Sequence, residues 1–509
     1  MSSRTTNIPA SERALVLQGG GSLGAYEAGA YKALYEWLSK KDKDEGKETS
    51  ITFDIIAGTS IGAMNAAVLT SYVIENGTYE GSAERLIDFW KYLSKESMAD
   101  TNPWFRPWRD YLHGLDKAIA TGEAARRYYS AKEFAVAGVP NVFSPPIPVQ
   151  DNRFFDFIWN TRYRFSNIQL RKSLERFVKF PIASAFEENQ PRLILVSVDV
   201  ADGAPVVFDS YANEDGSRKT EYGRYLKQQD GKEIGFEHVI RYNDGITVDQ
   251  VMASGCYPVN FDYTLLEVES YYHHDSVNDN HNTSFPHGSR ISIGISSPTP
   301  SPDRDFSKQY RKEIRHFWDG GMLYNTPLTQ LVLLHRNYWY RIRGLKDKVP
   351  TLNICVINVH PTTQREIPID HDGLINRKND ITFSDRSHKD EEVLLLVSDY
   401  IELVRELIRV AKEAGAKDKV ITNLLNQRTK YHGMNLRPRL YKEIVEGRFD
   451  INQIVRIERK NDEHTISDKS FDFSSGTITQ LIEDGFEDTT DLINNTRIQN
   501  ELKNTQQTQ

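Results

Sequence analysis

The chain is poor in cysteine, in long apolar runs and in net charge of either sign. Only two of its 509 residues are cysteine, Cys256 and Cys355, which argues against a disulfide framework and leaves almost nothing for a cysteine-based metal site. No window reaches the roughly 18 uninterrupted apolar residues of a membrane-spanning helix. The opening MSSRTTNIPASERALVLQGGG has no basic segment leading into an apolar core of about 7–15 residues, so no secretory leader is expected. The expected location is the cytoplasm, with peripheral membrane contact compatible with it. Lysine and arginine total 63 against 71 aspartate and glutamate, a net charge of −8. That mild acidity offers no general attraction for nucleic acid, and no nucleic-acid partner is expected. His273, His274, His281 and His287 crowd one polar stretch without H-x-x-E-H or H-E-x-x-H spacing, so neither a metal nor another cofactor is expected.

What is present is a hydrophobic fraction of 39%, enough for a substantial core in one large α/β domain with additions or in several smaller ones. The most informative stretch is Ile51–Leu69. An apolar β-branched run collides with Gly58-Thr59-Ser60-Ile61-Gly62, and Ala63, Ala66 and Ala67 follow at once. Strand, sharp turn and helix are predicted, with Ser60 at the apex. There the hydroxyl is exposed at a helix N-terminus whose dipole favours developing negative charge.

A second turn of this kind precedes it. Ala14–Gln18 reads as a short buried strand running into Gly19-Gly20-Gly21-Ser22-Leu23-Gly24, then a helix carrying Ala25, Ala28, Ala33, Leu34 and Leu38 at helical spacing. A β-α-β-α opening predicts a parallel sheet with buried strands, and it places both glycine-rich turns on one edge, where open α/β sheets hold ligands. Gly19–Gly24 also satisfies G-x-G-x-x-G. A dinucleotide site would want the next strand to end in an acidic residue, and that strand ends in the serine turn instead. Three glycines in a row suit free backbone N–H groups aimed at an oxyanion.

Further along, residues 83–180 read as a helix-rich, aromatic cap, with Asn102–Arg109 and Phe154–Trp159 as its densest aromatic clusters. Arg192–Val200 and Pro205–Asp209 are predicted strands, Asn167–Phe180 and Thr247–Pro258 predicted helices, and about 263–315 a polar surface insertion. Trp318-Asp319-Gly320-Gly321 reads as a strand end meeting a turn, followed by a leucine-rich helix through His335. Leu352–His360 is expected to be the last strand of the main sheet. Beyond it the sequence turns helical: Glu391–Gly415 has a broad apolar face, Asp418–Asn435 is a further helix, and Thr477-x-x-Gln480 is a capping box opening another helix. Residues 495–509 are expected to be a disordered tail.

Taken in order, Gly-Gly-Gly-Ser-Leu-Gly, Gly-Thr-Ser-Ile-Gly and Asp-Gly-Gly, with Ala253-Ser254-x-x-x-Pro258 and Asn325-x-Pro327, resemble the patatin-like phospholipases over Arg13 to His360. The C-terminal part, with Asp472-Phe473-Ser474 before a helix, is similar to the extension of a bacterial-type subgroup. The resemblance implies a three-layer α/β/α fold with a mainly parallel central sheet, a helical cap and a helical C-terminal extension. The expected limits are residues 1–361 for the acyl hydrolase domain and 362–494 for the extension. It also implies a lipid ester substrate and a Ser-Asp dyad, with Ser60 as nucleophile and Asp319 as general base forming a covalent acyl-enzyme. Backbone N–H groups of Gly19, Gly20, Gly21 and Ile61 would stabilise the oxyanion, with Gly24, Gly58, Gly62, Gly320 and Gly321 shaping the motifs. One position departs from the family: Leu23 stands where an Arg or Lys is usual, so the substrate's charge is less constrained than the acyl chemistry. Two other readings stay open. One is a Ser-His-Asp triad using His335 or His360, and the other a lipid- or protein-binding scaffold without turnover.

Overall fold

A computed structural model describes residues 8–46, 52–97, 122–145, 147–149, 162–229, 232–258, 260–274, 309–345, 349–364, 367–427, 440–445, 449–460 and 466–495. The aromatic clusters at 102–109 and 154–159, His281, His287 and the tail from 496 lie outside them.

Along the chain the strands are β1 (Ser11–Leu17), β2 (Ile55–Thr59), β3 (Ile147–Val149), β4 (Arg162–Arg164), β5 (Arg192–Asp199), β6 (Ala204–Asp209), β7 (Lys219–Gln229), β8 (Lys232–Arg241), β9 (Thr264–His274), β10 (Gln309–Asp319), β11 (Thr351–Asn358) and β12 (Ile451–Glu458). The helices are α1 (Gly24–Asp44), α2 (Ile61–Asn76), α3 (Ser82–Leu93), α4 (Gly122–Ala137), α5 (Ile168–Phe177), α6 (Val248–Gly255), α7 (Leu328–Asn337), α8 (His371–Phe383), α9 (Ser387–Glu413), α10 (Asp418–Leu425), α11 (Tyr441–Val445) and α12 (Ser475–Asn494). The main sheet runs β12-β11-β1-β2-β5-β10-β9-β8-β7, with β6 also on β5, while β3 and β4 pair apart. The run from β12 to β5 is parallel, and from β5 outward the strands alternate.

Successive side chains of a strand point to opposite faces, and both faces here are covered. Leu15 and Leu17 of β1, Ile56 of β2, and Leu193 and Leu195 of β5 enter one core with α1, α2, α3 and α12. Ala14 and Val16, Ile55 and Ala57, and Ile194 enter the other, against α7 and α9. The mixed sheet between two helical layers, with a helical C-terminal region, is a three-layer α/β/α fold. Among the described residues no helix is long and apolar enough to cross a membrane.

Several elements differ from expectation. β11 is not the last strand, because β12, inside the region expected to be helical, pairs parallel to it. The stretch read as a polar insertion contributes β9 and β10, paired over nine residues from Phe317↔Thr264 to Gln309↔Tyr272. Within that stretch, residues 275–308 lie outside the described residues. The apolar face of α9 buries only Leu394 and Ile401. The last helix is capped by Ser474, three residues before Thr477: its hydroxyl accepts the Thr477 N–H at 3.4 Å, and Asp472 accepts the Thr477 hydroxyl at 2.6 Å. That helix docks on α1 where side chains vanish. A Cβ on Gly29 would lie 1.8 Å from the Ile482 carbonyl oxygen, and one on Gly485 2.1 Å from that of Tyr26.

Candidate active site

β1 and β2 are parallel neighbours, with Leu17 opposite Gly58, so both glycine turns leave the sheet at one edge. Ser60 follows Thr59, which pairs with Val196 of β5. β10 arrives antiparallel on the other side of β5 and sets Asp319 opposite Ser197. Register therefore brings Ser60 and Asp319 to either side of one residue of β5.

Ser60 is held at φ 56°, ψ −125°, a left-handed conformation that costs a side chain on the order of 1–3 kcal/mol and persists only when its surroundings enforce it. They do. The Ser60 N–H donates to Ser254 Oγ at 3.0 Å, and that hydroxyl donates to the Val196 carbonyl at 2.6 Å. The carbonyl of Ser60 accepts the Ala63 N–H at 3.0 Å, starting α2 directly at the turn. Gly58 and Gly62 allow the close approach this needs: a Cβ on Gly58 would meet the Gly62 oxygen at 2.2 Å, and one on Gly62 the Leu17 oxygen at 2.5 Å. Gly24 is similarly enclosed, with Ile61 and Trp90 each 2.8 Å from its Cβ position.

The Ser60 hydroxyl faces the Asp319 carboxyl closely enough to favour its ionised form. Asp319 is 2% exposed, and its Oδ1 accepts the Gly321 N–H at 2.7 Å. Burial pushes its pKa up to about 7, opposed by the Ser60 side chain and the Gly321 N–H. Gly320 has no room for a Cβ, which would fall 2.2 Å from the Val196 oxygen. A buried carboxyl with a strongly raised pKa beside a serine on a strained turn marks a candidate functional site.

The glycine loop lies against this pair, since a Cβ on Gly19 would stand 2.9 Å from Ser60 Cβ. One expected donor falls away: the Gly19 N–H is committed to the Asn325 carbonyl at 3.2 Å, which leaves it nothing to offer an oxyanion. Among the described residues no backbone partner takes the N–H groups of Gly20, Gly21 or Ile61. Leu23 is buried, at 2% exposure.

Sequence reasoning missed Gln18. It is wholly buried; its Oε1 accepts the N–H groups of Val359 (2.8 Å) and His360 (3.0 Å), and its Nε2 donates to Thr326 Oγ1 (2.9 Å) and the Phe383 carbonyl (3.2 Å). Asn325 Nδ2 joins Gly19 (3.1 Å) to Phe383 (2.7 Å). A buried amide at a strand end, next to the glycines, was the only signal.

The two candidate histidines are placed differently. His335 Nε2 lies 2.9 Å from Glu12 Oε2, at the start of β1 and so at the opposite end of the strand from the glycine turn. His360 sits 3.2 Å from Asp380 through Nδ1. His335 is set aside on the ground of its position, whereas His360 brings Nε2 to 3.5 Å from the Cβ position of Gly20. His273 and His274 lie in β9.

A family model described as patatin-like phospholipase matches residues 15–332. No curated protein matches. Among solved structures the chain is similar to VipD from Legionella pneumophila, at 11% identity and a TM-score of 0.23, over 93% of this chain and 67% of that one. That structural likeness is too low to bear on function.

Proposed function

The chain belongs to the patatin-like phospholipase family, and from that premise we propose that it is a lipid acyl hydrolase working through a Ser60–Asp319 dyad and a covalent acyl-enzyme. The observation that carries the reading is the placement of Ser60, on its positive-φ turn at the start of α2, and of the buried Asp319 carboxyl on either side of β5 at one edge of the sheet.

In this mechanism Asp319 takes the Ser60 hydroxyl proton as Oγ bonds to the ester carbonyl carbon. The carbonyl oxygen becomes an oxyanion and meets the N–H groups of Gly20, Gly21 and Ile61, reinforced by the N-terminal dipole of α2. The tetrahedral species expels the alcohol, which leaves with the proton held by Asp319, and Ser60 stays acylated. Water then gives a proton to Asp319, attacks the acyl carbon, and the carboxylic acid departs as the proton returns to Ser60. A base with a pKa near 7 is better matched to this proton traffic than an ordinary carboxylate.

A lipid ester is the proposed substrate, met by peripheral contact at a lipid surface. Leu23 leaves a phosphate-bearing and a neutral acylglycerol substrate equally compatible. The reading is tested with a fluorophosphonate probe and a short-chain acyl ester. Wild type should label and turn over, whereas Ser60→Ala should do neither; a wild type that does neither would be a scaffold without turnover.

A further inference from the structure

The glycine loop is gripped between two pieces of chain, and one of them comes from the far C-terminal region. On one side a Cβ on Gly20 would meet Val359 Cγ2 at 2.5 Å and His360 Nε2 at 3.5 Å. On the other, Gly21, at φ +61°, lies against the short turn Lys469–Phe471, where the Ser470 carbonyl oxygen stands 2.5 Å from the Cβ position. Ser22 closes that side by donating to the Lys469 carbonyl at 2.7 Å.

The two sides are tied to each other. Lys469 Nζ donates to Asp380 Oδ1 at 2.5 Å, and His360 Nδ1 donates to the same oxygen at 3.2 Å. Lys469, Asp380 and His360 are all buried, at 7%, 0% and 4% exposure. Burying an ammonium and a carboxylate is costly, and such a pair is no strong argument for stability in itself. Burial pushes the Asp380 carboxyl up, yet His360 and Lys469 outweigh it and hold it low and ionised. Burial lowers the His360 pKa; Asp380 opposes that, and Lys469 and Arg459 add to it. A neutral imidazole thus packs against the loop. Leu23 lines one small cavity with Arg127, Arg459 and Lys469.

We propose that Lys469 is a positioning residue for acyl transfer, its ion pair with Asp380, the carboxylate that also binds His360, locking the clamp that holds the Gly20 and Gly21 N–H groups at the oxyanion position. This rests on the acyl hydrolase reading above. The oxyanion forms only during reaction, so a loosened clamp should reduce kcat and spare KM.

The experiment uses the full chain, a short-chain acyl ester and a fluorophosphonate probe. Lys469→Met should lower kcat and the rate of Ser60 labelling by about tenfold or more, with KM within about twofold. Lys469→Arg, which keeps a cation for Asp380, should recover at least about half of the wild-type kcat. The proposal is overturned if folded Lys469→Met keeps wild-type kcat, or if Lys469→Arg falls as far as Lys469→Met. Should Lys469→Met fail to fold, Ser22→Ala removes only the loop end of the clamp, and an unchanged kcat there overturns the idea equally. No turnover and no labelling in the wild type would remove the hydrolase reading, and the clamp with it, an outcome distinct from an active wild type matched by its variants.

Discussion

Ser254 stands directly behind Ser60: one hydroxyl accepts the Ser60 N–H at 3.0 Å and donates to Val196 O at 2.6 Å. It pins the strained turn to β5, the strand that also sets Asp319 in register. Ser254→Ala leaves a buried N–H and a buried carbonyl without their partner, each worth about 1–3 kcal/mol. The expected outcome is a lower unfolding midpoint together with a fall in kcat larger than any rise in KM. Unchanged denaturant unfolding and unchanged kcat would count against this role.

Removing either member of the proposed dyad should abolish chemistry and leave the fold. Ser60→Ala and Asp319→Asn are each expected to lower kcat/KM for a short acyl ester by at least about 10³-fold. Circular dichroism should match wild type. Retained hydrolysis in both variants would show that the base and nucleophile lie elsewhere.

The raised pKa of Asp319 sets the pH dependence. The carboxyl must be ionised to act as base, so kcat/KM should climb through pH about 7, the value to which burial pushes it. A flat profile between about pH 5 and 9 would contradict the assignment. Stability should move the other way. The folded-state pKa lies above the unfolded value near 4. The contribution of this group is therefore full below pH about 4 and lost as pH rises through about 7. Asp319→Asn carries no such titration, so its unfolding midpoint should gain on wild type across that interval.

The Gly29 and Gly485 contacts test whether α12 belongs to the body. Gly29→Ala drives a methyl into the Ile482 carbonyl and Gly485→Ala into that of Tyr26. Overpacking of this kind costs typically about 1–3 kcal/mol, and more where backbone must shift. Limited proteolysis should release the C-terminal helix from each variant sooner than from wild type.

His335 supplies the control on the histidine alternative. Its Nε2 lies 2.9 Å from Glu12 Oε2, and Trp339 Nε1 donates to the same carboxylate oxygen at 2.6 Å. His335→Gln should cost stability but leave Ser60 labelling intact once the protein is folded. Loss of labelling in folded protein would reopen the triad.

Local patterning was enough to read the strand–turn–helix at Ser60, the glycine loop ahead of α1, and most helices of the body. Such features depend on residues within a few positions of one another: glycine where backbones touch, small residues where a helix meets its strand, apolar residues at a fixed period. In that sense the Ser60 turn was determined by the sequence itself, and Gly58 and Gly62 are glycine because the backbone leaves no space for a Cβ. The tertiary structure decided what no local period encodes. It set Asp319 beside Ser60 through an antiparallel strand whose polar residues had read as part of a surface insertion. It gave the Gly19 N–H to Asn325, added β12 to the sheet, and placed Ser254 and Gln18 as ties between distant strand ends. Lys469 reached the glycine loop from the far C-terminal region. Each of these is a hydrogen bond or a close contact between segments far apart in the chain. Their partners are chosen by register and by the need to satisfy buried polar groups, which exist only once the sheet is assembled.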